Sequence, residues 1–95
     1  MIEKEIEYIQ AIRNKLLKFD VDFFYKKKKD NAINEFKKKY YLILSLLNKF
    51  TLLLKRKNEN LLLEVIERIK NEYIEYKYLK SNLNKVLLKY KIKKK

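Results

Sequence analysis

The amino-acid sequence predicts an all-α fold: a three-helix arrangement with a short N-terminal helix packed on a long antiparallel, coiled-coil-like helical hairpin. Three observations carry this reading. The 95 residues include no glycine and no proline. Hairpin turns, phosphate-cradling loops and tight strand connections lean on those two residues, whereas long helices with minimal connections need neither. Apolar residues recur at steps of three and four over most of the chain, the spacing of a helix face. In the second half, Asn58-Glu59-Asn60 is the only break signal.

Each element follows from its own stripe. Ile2, Ile6, Ile9, Ile12, Leu16 and Phe19 line one face of a helix over residues 2–19. Glu3, Glu5 and Glu7 open it and Lys15 and Lys18 close it, the polarity that the helix macrodipole favours. Asp20 and Asp22 are turn and cap residues. Residues 23–29 then form either the first turns of the second helix or an exposed connection, with Asp30 or Asn31 as the cap. From Ile33 the stripe is unbroken through Phe36, Tyr40, Ile43, Leu47, Phe50 and Leu54, and the second helix is expected over 24–57. Asn60 is the expected N-cap of a third helix over 61–91, striped by Leu62, Ile66, Ile69, Tyr73, Tyr76, Leu83, Leu87 and Tyr90. One residue in that stripe is out of character: Lys80.

Both long stripes keep a period of 3.5 residues, which favours left-handed packing of long helices at about 20°. A connection of about three residues makes an antiparallel pair the expected arrangement, with one long bent rod as the alternative because Asn58-Glu59-Asn60 is a weak break. The first helix covers their groove over part of its length, with pairing of two hairpins through the uncovered part as the alternative. The whole is expected to be one domain over residues 1–92, with residues 93–95 a basic tail.

Composition bounds the chemistry. Without cysteine there is no disulfide framework or thiolate metal site, and without histidine the commonest metal ligand and general base are missing. Glu64, Glu67, Glu72 and Glu75 could present paired carboxylates, but their lysine neighbours make ordinary ion pairs within the helix the better reading. Ser45, Thr51 and Ser81 have no base partner. No catalytic residue, metal or cofactor is therefore expected, and the chain is read as non-enzymatic. The nearly apolar run from Tyr40 to Leu54 is too short to span a bilayer and is interrupted by Asn48 and Lys49, so no transmembrane segment is expected. The polar start, Met1 to Glu5, lacks the apolar core of a signal peptide, so the expected location is the cytoplasm, or the virion interior for a viral protein.

The formal net charge is +13, above the roughly 2–8 suited to a small domain, so the chain repels itself unless a partner supplies counter-charge. AT-rich coding would explain part of the lysine excess, but less of the charge, because glutamate codons are A-rich too. The basic residues fall in blocks: Lys26, Lys27, Lys28 and Lys29; Lys37, Lys38 and Lys39; Lys55, Arg56 and Lys57; and a lysine-rich tail including Lys85, Lys89 and Lys91. Such blocks bind DNA or RNA backbones through counterion release, whatever the sequence. Most of the eight tyrosines and five phenylalanines sit on the stripes and belong to the core. Tyr25, Tyr41 and Tyr78 fall beside the stripes and are the candidates for stacking on bases. Three arginines leave little capacity for bidentate guanine readout. The expected function is backbone binding to DNA or RNA, as a homo-oligomer or a subunit of a nucleoprotein assembly. The alternatives are a helical adaptor that docks on a partner protein through its apolar stripe, and a binder of anionic membrane surfaces.

Overall fold

The computed structural model describes residues 2–19 and 31–93, with side chains up to residue 85. It has three helices, α1 (Ile2–Leu17), α2 (Asn31–Arg56) and α3 (Glu59–Lys93), and no strand among the described residues. The possible start of the second helix before Asn31 lies outside the described residues. At about 1.5 Å per residue, α3 alone is about 52 Å long, which sets the long axis of a 53 × 22 × 19 Å rod.

α2 and α3 form the antiparallel hairpin, and their stripes interlock as the 3–4 spacing expects. Phe36, Tyr40, Ile43, Leu47 and Phe50 meet Leu62, Ile66, Ile69, Tyr73 and Tyr76 in one buried cluster. α1 adds Ile9, Ile12 and Leu16 to it. Its direction is fixed by two contacts: Glu5 is ion-paired with Lys70, while Lys15 and Lys18 share a cleft with Lys80 and Ser81. α1 therefore runs parallel to α3, starting near the level of Lys70. Among the described residues, no third helix lies over the part of the hairpin nearest its turn.

α1 stops at Leu17, short of Phe19. The amide of Phe19 donates to the Leu16 carbonyl at 3.1 Å, tightening the last turn and swinging the Phe19 ring inward. That ring lies 5.2 Å from Phe36 and 5.5 Å from Tyr40. Tyr40 solves a polar problem at the same place. Its hydroxyl is buried and donates to the Leu16 carbonyl at 3.0 Å, one of the carbonyls that a helix end leaves without an intrahelical partner.

The hairpin turn is shorter than the sequence reading has it. The Asn58 amide donates to the Leu53 carbonyl and the Lys57 amide to the Leu54 carbonyl, each at 3.3 Å, the paired bonds of a Schellman C-cap. Lys57 takes the left-handed residue of that motif at φ 57°, a place usually given to glycine. Asn58 then caps the next helix, its side-chain oxygen accepting from the Leu61 amide at 3.3 Å. The N-cap is thus Asn58 rather than Asn60, and α3 begins at Glu59 rather than 61. Once Lys57 reverses the chain in one residue, the following one is already placed to cap.

Candidate anion-binding surfaces

Between Glu35 and Glu59 the chain carries no acidic residue. On α2 this leaves an outward face on which Lys38, Tyr41, Ser45, Asn48, Leu52 and Lys55 repeat the 3–4 step on the side opposite the core, all exposed. Lys49 and Arg56 flank the strip and Lys57 continues it at the turn; all three are exposed as well. Lys37 is half-buried.

Lys39 does not belong to this surface. It reaches across to α3, where its Nζ lies 2.5 Å from Glu72 and also contacts Glu75. These two hydrogen bonds hold its pKa above the ordinary lysine value against the opposing effect of burial. Its charge is spent inside the hairpin, so Lys39 is a poor candidate for phosphate. The same contact revises the carboxylate reading, because Glu72 and Glu75 pair with a lysine on the facing helix rather than with neighbours on their own.

The remaining sequence candidates are scattered. Lys26, Lys27, Lys28, Lys29 and Tyr25 lie outside the described residues. Lys85 is exposed on α3, and the backbones of Lys89 and Lys91 continue that helix. Tyr41 is 41% exposed and Tyr78 68%. Tyr41 rests edge-on against Tyr40, with ring centroids 5.3 Å apart. They occupy the outward faces of different helices, so the hairpin separates them and they make no common stacking platform.

A second basic site was not among those candidates. A cleft of about 510 Å³ opens between the C-terminal turn of α1 and the middle of α3. Lys15, Lys18, Lys77 and Lys80 line it, with Ser81 and Asn84 beside them and no acid in the lining. Its floor is the stacked pair Tyr73 and Tyr76, whose centroids are 5.6 Å apart at 16°. Burial pushes the Tyr76 hydroxyl pKa up to about 12, assisted by the neighbouring Tyr73 and Tyr40. Lys77 lies over the Tyr73 ring at 5.2 Å, a cation–π arrangement. The signal was present in the sequence: Lys80 interrupts an otherwise apolar stripe. Its partners on α1 were invisible there, because nothing local says that α1 lies alongside this part of α3.

Two further clefts carry mixed charge. One, of about 480 Å³, lies over the Glu5–Lys70 ion pair, with Tyr8 and Ile74 in its wall. The other, of about 350 Å³, adjoins Lys39 and includes Glu35 and Glu75. Among the described residues there is no group of three potential metal ligands, and no helix is long and apolar enough to cross a membrane. No protein-family model, curated protein or solved structure matches this chain.

Proposed function

We propose that this protein binds the phosphate backbone of DNA or RNA without regard to sequence, as a subunit of a nucleoprotein assembly. The observation that carries the reading is the outward face of α2 beyond Glu35, where no acid occurs before Glu59. Lys38, Lys49, Lys55, Arg56 and Lys57 are all exposed on it or at its end. A long straight helix presenting spaced cations tracks a polyanion along its axis. Each phosphate it neutralises releases condensed counterions, so affinity falls steeply with salt. Of the three arginines only Arg56 belongs to this face, while Arg13 and Arg68 lie on α1 and α3. That distribution favours backbone contact over reading of base edges.

A mobility-shift or anisotropy titration over a salt series tests the reading. Five phosphate contacts give a log–log slope of about −4.5 on duplex DNA, and replacing Lys55, Arg56 and Lys57 together by glutamine flattens it by nearly three units. Oligonucleotides of unrelated sequence should bind within a few-fold of one another. Absence of binding at low salt, or a slope unchanged in the triple variant, would overturn it.

A second reading, docking on a partner protein, is supported by one observation. Leu52, Leu61 and Leu63 are 54%, 44% and 44% exposed at the turn end, where α1 does not reach. Most of the apolar run from Tyr40 to Leu54 is consumed within the molecule, so these three leucines are what such docking would use. Charge reversal on α2 would then leave binding to the partner intact.

A further inference from the structure

We infer that the four-lysine cleft between α1 and α3 is a discrete binding site for a short chain of linked phosphates. The inference is independent of the α2 surface, because none of the cleft residues lies on that helix. Lys77, Lys80, Ser81 and Asn84 come from successive turns of one face of α3, while Lys15 comes from the last turn of α1 and Lys18 from just beyond its end. Four lysine side chains thus line one cleft of about 510 Å³, a volume within the range of small-ligand sites. The Ser81 hydroxyl and Asn84 amide add neutral donors at the same rim. Among the described residues none of the four lysines is paired with a carboxylate, in contrast to Lys39 and Lys70.

The position of Lys80 makes the argument specific. The stripe of α3 calls for an apolar residue near this step, and in the structure Leu79 packs against the core between Tyr76 and Leu83. Lys80 is therefore left exposed beside the seam, where it adds a fourth positive charge to the three others lining the cleft. Lys15 and Lys18 have a structural role in complementing the negative end of the α1 macrodipole, but that role extends to neither Lys77 nor Lys80. A single phosphate would leave most of the convergent charge unmatched. A tripolyphosphate group matches it, whether it comes from free polyphosphate, a nucleoside triphosphate or a triphosphorylated strand end.

The test uses the full chain and inorganic tripolyphosphate, followed by tyrosine fluorescence and by amide chemical shifts. Binding should be saturable, at least tenfold tighter than orthophosphate or sulfate at matched ionic strength, with the largest shifts at Tyr73, Tyr76, Ser81 and Asn84. Lys80 is exposed and outside the core, so Lys80→Leu should retain the fold while tripolyphosphate affinity drops at least tenfold. Lys80→Gln, which keeps a polar side chain, should lose affinity to a similar degree. The Lys55, Arg56 and Lys57 triple variant, impaired for nucleic acid on the α2 reading, should bind tripolyphosphate within twofold of the wild type. Displacement of the probe by ATP, or by an oligonucleotide carrying a 5′-triphosphate and not by its 5′-hydroxyl form, identifies the source of the phosphates. Undiminished affinity in both Lys80 variants, or shifts spread evenly over all exposed lysines, would overturn the inference.

Discussion

The two ends of the hairpin are built to different standards. Under α1 the seam is sealed on a third side: Ile9, Leu16, Phe36, Ile43 and Ile69 are each 0% exposed. Toward the turn only two helices meet among the described residues, and Leu53, Val65 and Leu62 retain 7%, 5% and 4% exposure. Both ends obey the same 3–4 spacing, so periodicity alone does not make a core. A third helix supplies the last contacts, and the aromatic residues collect where it lies. Phe36, Tyr40 and Tyr76 form a chain of rings, with Phe36 5.1 Å from Tyr76 and 6.4 Å from Tyr40.

The largest expected effect contrasts the two ends directly. Phe36→Ala opens a cavity closed on every side and should cost about 3–5 kcal/mol in denaturant unfolding, whereas Leu53→Ala, beside solvent, should fall near 2 kcal/mol. Equal losses would mean that α1 adds little to the seam. Amide exchange offers the same comparison without mutation, with protection over residues 36–43 of α2 exceeding that over its residues 47–54.

Alkaline pH should reverse the order of the ends. Tyr76 has a folded-state pKa raised to about 12 by burial first and nearby tyrosines second, and burial raises that of Tyr40 as well. The folded state therefore holds these protons more tightly than the unfolded chain, where tyrosine titrates near 10. Their contribution to stability is complete below pH 10 and is lost as the pH climbs toward 12. Tyrosinate absorbance followed with circular dichroism should show loss of the α1 contacts in that interval.

Smaller effects probe single bonds. Tyr40→Phe removes the tie to the Leu16 carbonyl and should cost about 1 kcal/mol, since the Phe19 amide still serves that carbonyl. Lys57→Gly relieves the left-handed backbone at the turn and should raise stability by about 0.5–1 kcal/mol. A loss there would mean that the lysine side chain, rather than its backbone, shapes the turn.

The fold was legible because its information is local. The stripes from Ile33 to Leu54 and from Leu62 to Leu83 can be read residue by residue, and they put the long helices and their shared face in the right place. What was misread depended on distance. Lys39 looks like its neighbours Lys37 and Lys38 along the chain, and only a glutamate 33 residues away distinguishes it. Lys80 announced itself as an exception, but its meaning required Lys15 and Lys18, which arrive through the direction of α1. Asn58 and Asn60 are equivalent cap residues by type. The choice between them followed from a positive φ at Lys57, which a sequence without glycine gives no reason to expect.

Lys57 also bears on what holds the two long helices folded back on each other. A lysine is more comfortable in the right-handed helical region than where the turn holds it. Straightening that residue and Asn58 would fuse α2 and α3 into one continuous rod. The two backbone bonds to Leu53 and Leu54, the Asn58 cap and the packed seam together offset that cost and keep the chain folded back. Because Leu53 both accepts the Asn58 amide and packs in the core, the turn and the seam share a residue, and a change there loosens both at once.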